Sequence, residues 1–197
     1  MFNLSGQNYD ITDELKVRQK LQMQTGYKWL IDKNDDPYDY DLKAWRYHIE
    51  KDGYYEKLFM GFIEIEIGVG WNQHEWPAYY PEVSFLKRKI YKFHYPSKTW
   101  TGIKDNADKT FYLKFNANLT NCFCQLISEV ASTGTLSKRS ASINNDTKSI
   151  YNHSFIAMKK NDVVWGINES IDFIKNVFNH RKTSTQDATF TSMELPF

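Results

Sequence analysis

From residue 58 to residue 68 the chain reads Leu-Phe-Met-Gly-Phe-Ile-Glu-Ile-Glu-Ile-Gly, and this segment limits the fold more tightly than any other. Side chains alternate across a strand, so Phe59, Ile63, Ile65 and Ile67 share one face and Leu58, Met60, Phe62, Glu64 and Glu66 the other. A strand that is apolar on both faces is expected to be central and covered on both sides. Ionised carboxylates are costly in such a place unless something cationic compensates them, so Glu64 and Glu66 require a partner.

Residues 38–49 form a second strand-like run, separated from residues 54–69 by Lys51-Asp52-Gly53-Tyr54. Asp-Gly between two such runs is a strong hairpin signal. With a two-residue turn, Lys51 pairs with Tyr54 and every pair of numbers sums to 105, which sets Asp41 opposite Glu64 and Asp39 opposite Glu66. Like charges across a ladder destabilise it, so four carboxylates on one patch predict a slipped register or a bound cation. Hard oxygen donors select Mg²⁺, Mn²⁺ or Ca²⁺ over Zn²⁺. A bulge would shift the pairing, yet the four acids keep one strand parity. The competing reading is a half-exposed edge hairpin whose acids face water near Lys43, Arg46 and Lys57.

Upstream, Thr12-Asp13-Glu14 opens a helix whose apolar side is Leu15, Val17, Leu21 and Met23 and whose stop is Gly26. Residues 27–31 read as a short strand and 32–37 as a polar loop. Downstream, residues 71–81 read as an aromatic loop broken by Pro77, and residues 83–95 and 111–115 as strands. Helical spacing of Leu119, Phe123, Leu126, Ile127 and Val130 predicts a helix over 119–130. Residues 132–148 are polar and predict a surface loop. A hairpin-like pair is expected from residues 151–158 and 163–165, then a helix over 167–177 and a tail from about 182.

The 197 residues carry Lys+Arg 25 against Asp+Glu 24, with 41% hydrophobic and 16% aromatic side chains. This excludes a disordered tail, a collagen-like fibre and a uniformly basic nucleic-acid coat, and predicts one domain over 1–181 with a tail over 182–197. With no apolar run of membrane-spanning length and no leader-like start, a soluble cytoplasmic protein is expected, in a host cytoplasm if phage-encoded. The excess of Lys over Arg, with many Asn and Tyr, is a bias that an A·T-rich genome such as a phage's would produce. Cys122 and Cys124 are spaced too closely for an easy disulfide and read as small buried hydrophobes.

The order of a helix with Glu14, a strand, Tyr38-Asp39-Tyr40-Asp41-Leu42, then Phe62-Ile63-Glu64-Ile65-Glu66, then a further strand and helix, resembles the PD-(D/E)xK nuclease superfamily over roughly residues 12–130. The resemblance implies an α/β fold with a restriction-endonuclease-like central mixed β-sheet flanked by helices. It places the family's first acidic position at Asp41 or Asp39 and the acidic member of its second motif at Glu64. The position usually held by Lys falls on Glu66, a D…ExE variant that some restriction enzymes of the superfamily carry. It further implies Mg²⁺ or Mn²⁺ held by Asp39 or Asp41, Glu64 and Glu66, with Glu66 orienting the attacking water or taking its proton, and phosphodiester hydrolysis without a nucleophilic side chain. Glu14 matches an accessory acidic residue on the first helix of some members. DNA is the implied partner, RNA is not excluded, and a homodimer is compatible, since many relatives cut as dimers.

Residues 84–104 contain Lys87, Arg88, Lys89, Lys92, Lys98 and Lys104 and no acid, interleaved with Phe85, Tyr91, Phe93, His94, Tyr95 and Trp100. Such a stretch suits phosphate neutralisation with base stacking, against the plainer reading of a solvated strand face. Lys138, Arg139 and Lys148 would add to the clamp, and His74, just past the acidic strand, is an accessory candidate. The expectation is a metal-dependent deoxyribonuclease. Its rivals are a non-catalytic nucleic-acid-binding protein and a viral structural or assembly protein.

Overall fold

The segment that is apolar on both faces lies inside a sheet, as its composition requires. Strand β3 (Tyr55–Gly68) is flanked by β2 (Leu42–Ile49) on one side and, in parallel, by β7 (Thr110–Asn116) on the other. The computed structural model describes residues 11–26, 28–36, 39–49, 55–68, 70–143 and 150–190. Outward from this trio lie β1 (Trp29–Lys33) beside β2, then β8 (Cys122–Leu126) and β11 (Val164–Trp165) beyond β7, giving a six-stranded mixed sheet. Helices α1 (Ile11–Thr25) and α4 (Ile167–Phe190) cover one face, where Val17, Leu21, Ile171, Ile174 and Phe178 meet Ile31, Ile63, Ile65, Phe111 and Leu113. The chain is thus a mixed α/β fold.

The other face is covered by a second sheet in the order β4 (Glu82–Leu86), β10 (Ile150–Lys159), β9 (Thr135–Ile143) and by the short helix α3 (Ile127–Thr133). Val83, Phe85, Ile127, Val130 and Ile156 pack there on Tyr40, Phe62, Tyr112 and Phe123. A parallel partner cannot be reached by a tight turn. The crossover from β3 to β7 therefore carries β4, the single-turn helix α2 (Lys87–Ile90) and a two-stranded ribbon of β5 (Tyr91–His94) and β6 (Thr99–Ile103). Among the described residues no helix is long and apolar enough to cross a membrane.

The β2–β3 register corrects the expected one in part. Leu42↔Ile63, Lys43↔Phe62 and Ala44↔Gly61 follow the sum of 105, but a bulge then shifts the ladder so that Trp45 faces Phe59 and Ile49 faces Tyr55. The extra residue exchanges the faces of its neighbours: Met60 packs into the helix-side core, while the Phe59 ring meets Phe62 on the opposite side, at 4.9 Å. Gly61 marks the bulge because no side chain fits there. A Cβ would overlap the Lys109 carbonyl oxygen and the Phe178 ring. Gly61→Ala is expected to lower stability by about 1–3 kcal/mol in denaturant unfolding; an unchanged midpoint would refute this account of the bulge. The proposed Asp52-Gly53 turn lies outside the described residues.

Five further expectations are corrected. Residues 83–95 are a strand, a helical turn and another strand, because Leu86 and Ile90, four apart, are both buried and draw the chain into a turn. Over residues 119–130 the expected helix begins only at Ile127, and Cys122–Leu126 is strand: Cys122, Cys124 and Leu126 point to one core and Phe123 to the other, a doubly buried pattern that mimics helical spacing. The polar stretch from residue 132 contains β9, the edge of the second sheet, where polar side chains are usual; residues 144–149 lie outside the description. Strand β11 pairs with β8 instead of β10, and α4 continues to Phe190, past the expected start of a tail.

Candidate functional site

Strand β2 stops pairing at Leu42, and the next residue, Asp41, extends the ladder with its side chain: its Oδ2 accepts the Ile65 N–H at 2.7 Å. This sets one carboxylate beside β3 where Glu64 faces the same side of the sheet. Glu64 is 3% exposed, and its Oε2 is buried without a hydrogen-bond partner. The compensating cation comes from α2. Lys89 Nζ lies 2.5 Å from Glu64 Oε1 and 3.2 Å from Asp41 Oδ2, and also donates to the Ile65 carbonyl oxygen. An ammonium has three donors, and here three oxygens receive them.

Burial pushes the Glu64 carboxyl up to about 7, with Lys89 opposing the shift, Asp41 adding to it and Lys104 opposing it from farther off. Lys104 also stands over the Tyr40 ring, 5.2 Å from its centroid. The site is therefore a nearly dry carboxylate, a second carboxylate 32% exposed in its side chain, and an ammonium between them.

Glu66 faces the same side as Glu64 but belongs to a separate group. In the parallel register it lies opposite Lys114 of β7, whose Nζ is 2.9 Å from Glu66 Oε1 and donates to the Ser84 carbonyl at 3.1 Å. The Tyr112 hydroxyl donates to Glu66 Oε2 and accepts the Leu86 N–H at 3.2 Å. Burial drives the Tyr112 hydroxyl well above its usual pKa, reinforced by Glu66. This arrangement ties β3 to β7 and β4.

The patch of four carboxylates is thus corrected to one pair plus a braced acid. Among the described residues no three His, Cys, Asp or Glu side chains converge as a ready ligand set. Asp39 sits in the turn before β2, its N–H donating to the Asp36 carbonyl at 3.3 Å, and is not paired across from Glu66, since the β2–β3 ladder begins only at Leu42. Glu14 lies on α1, in the layer over the opposite face of the sheet. His74 is exposed beside the β7–β8 turn, 3.4 Å from Thr120 Oγ1. Asn116 of that turn stands opposite Gly68, four ladder steps from Glu64, or about 13 Å.

Of the basic set, Lys89 points inward, while Lys87 stacks over the Tyr91 and Trp100 rings and Lys92 pairs with Asp105 at 2.7 Å. Arg88 and Lys98 are exposed. The side chains of Lys138 and Arg139, and all of Lys148, lie outside the described residues. Compared with known proteins, the chain matches no family model, no curated protein and no solved structure. The chemistry must be read from the site itself.

Sequence reasoning missed the inward role of Lys89 and the pairing of Glu66 with Lys114. Signals for both were present: Leu86 and Ile90 bracket a helical turn, and Lys114 is the lone charge in Phe111-Tyr112-Leu113-Lys114-Phe115. Cys122 and Cys124 are free and buried, and burial pushes the Cys122 thiol up to about 12.

Proposed function

We propose that this chain is a divalent-metal-dependent nuclease acting on DNA, built on a restriction-endonuclease-like sheet. The observation that carries the reading is the convergence of Asp41 Oδ2, Glu64 Oε1 and the Ile65 carbonyl on one cation, with Glu64 Oε2 buried beside them and unpartnered. Support also comes from the strand order, in which a helix and three antiparallel strands are followed by a crossover to a strand parallel to β3.

The donor set fits Mg²⁺ or Mn²⁺, since all its atoms are hard oxygens and the partnerless carboxylate oxygen has unused capacity. Asp41 and Glu64 would hold the ion. Such an ion, when bound, polarises the scissile phosphate and lowers the pKa of an attacking water. Lys89 would supply a second positive charge beside the ion, the electrostatic role left open because Glu66 stands at the position the superfamily usually gives to Lys. Glu66, held by Lys114 and Tyr112, braces β3 so that Glu64 and the Ile65 carbonyl keep their places. Lys87, Arg88, Lys92, Lys98 and Lys104 give the crossover a cationic surface for the phosphate backbone.

The test is cleavage of duplex and single-stranded DNA with Mg²⁺ or Mn²⁺ against an EDTA control. Glu66→Gln is expected to keep cleavage within about ten-fold of wild type while lowering the melting temperature; abolished cutting with an unchanged melt would return Glu66 to the catalytic centre. One observation favours a second reading, a protein that binds nucleic acid without cutting it: the Lys89 ammonium already satisfies the three oxygens. Salt-sensitive binding that is indifferent to metal, with intact DNA in every reaction, would establish that alternative.

A further inference from the structure

The crossover ends in a ribbon whose two faces differ. Phe93 pairs across it with Trp100, their rings 5.0 Å apart, and the Tyr95 ring lies 5.2 Å from Phe93. Tyr91, two residues before Phe93, shares this face, and the Lys87 ammonium stands over both Tyr91 and Trp100. Tyr91 packs against the second buried cluster and its hydroxyl donates to the Ala131 carbonyl, but the outer aromatics are not core. Tyr95 is 80% exposed and Phe93 37%, and neither packs into the two buried clusters.

Across from this face, on the second sheet, Leu136 is 57% exposed. Between them lies an open cleft of about 350 Å³, bounded by Lys87, Tyr91, Trp100, Leu136 and Ile156. Its side-chain walls are aromatic or aliphatic, with backbone exposed at Gly102 and Gly134 and an ammonium at one side. Cations dominate this part of the chain: residues 83–104 contain six Lys and Arg and no acid, of which Lys89 is turned inward to the carboxylate pair. The acids that flank this run are Glu82 and Asp105, and Asp105 is engaged by Lys92.

We propose that this ribbon and cleft form a stacking platform for unpaired bases, so that the occupant is a single-stranded stretch of nucleic acid. The inference rests on the nucleic-acid side of the function proposed above and adds the strandedness of the ligand. Flat rings stack on bases of any sequence, and nearby ammonium groups neutralise the phosphates between them. A duplex keeps its bases paired and presents only phosphate to such a face. The ribbon springs directly from α2, the same turn whose Lys89 reaches Asp41 and Glu64, so one short element joins the platform to the carboxylate pair.

The experiment measures fluorescence anisotropy of labelled oligo-dT, oligo-U and a mixed-sequence duplex with the full chain in EDTA. Wild type is expected to bind both single strands more tightly than duplex. Phe93→Leu/Trp100→Leu, which keeps apolar bulk but removes the rings, should weaken single-strand binding about ten-fold or more and leave duplex binding unmoved. Should that pair disturb folding, Tyr95→Ala, at a site 80% exposed, is expected to weaken single-strand binding several-fold with an unchanged melt. Single-strand affinity unchanged in the folded variants, or equal losses on duplex and single strand, overturns the proposal. Metal-dependent cleavage by wild type, compared with Glu64→Gln, reports separately on the nuclease reading. Cutting without ribbon-dependent binding defeats only the platform, and ribbon-dependent binding without cutting defeats only the nuclease.

Discussion

Glu64→Gln is expected to reduce metal-dependent cleavage by about 10²–10³-fold or more, the scale lost when one preorganised electrostatic contact is removed from a reacting centre. The same substitution should raise the stability of the metal-free protein above pH 7. Burial lifts the folded-state pKa of Glu64 from 4.5 to about 7, so the folded chain holds this proton more tightly than the unfolded one. Below about pH 4.5 both states are protonated and the group contributes nothing to the pH dependence. Between 4.5 and 7 the unfolded chain releases the proton first, and stability falls as pH rises. Above 7 both states are ionised and the loss is complete, on the order of 3 kcal/mol at 1.36 kcal/mol per unit. Glutamine imitates the protonated form at every pH. Thermal melts in EDTA should therefore coincide at pH 4 and diverge by pH 8, with the variant melting higher. Parallel curves over that range would refute the account of Glu64, whatever the cleavage result.

Lys89→Met should act in the opposite direction. The ammonium pairs with a carboxylate whose side chain is 4% exposed, and removing one member of such a pair leaves a charge without compensation, typically at a loss of about 3–5 kcal/mol. The loss should be largest at pH 8 and smaller at pH 5, where Glu64 is protonated in the folded protein and has no charge to compensate. In the Glu64→Gln background the same lysine substitution should cost markedly less, because the two residues are in direct contact and their effects do not add. A double-mutant cycle by chemical denaturation at pH 8 measures this. Equal losses in both backgrounds would mean that Lys89 stabilises through Asp41 and the Ile65 carbonyl alone.

The most readable part of this molecule in its sequence was the stretch most constrained by burial. The segment from 58 to 68 announced a central strand, and its two glutamates announced a need for cations. Asp41 reaches the neighbourhood expected of it because the bulge lies on the turn side of Ala44, leaving the register nearest Glu64 intact. The identity of the cations was harder to read. Lys89 comes from a single helical turn 25 residues beyond Glu64, and Lys114 from a strand that pairs in parallel after a long crossover. Neither relation has a local spacing. The misread segment around Phe123 shows the converse: a strand buried on both faces has no polar side from which to read its period. Strand β9 was hidden for the opposite reason, since a sheet edge tolerates the Ser, Thr and Lys that elsewhere mark a loop.

The parallel pairing of β3 with β7 also bears on the order of assembly. After Gly68 the chain runs on to Thr110 before the open side of β3 acquires its neighbour. Closing a connection of that length is slow relative to forming the β2–β3 hairpin, so during synthesis one edge of a strongly apolar strand stands unpaired. Such an edge invites pairing with another copy of itself. Glu64 and Glu66 interrupt this strand at alternate positions, where two stacked nascent chains would bring like charges together. The carboxylate whose burial weakens the finished protein is, in the half-made one, a guard against aggregation.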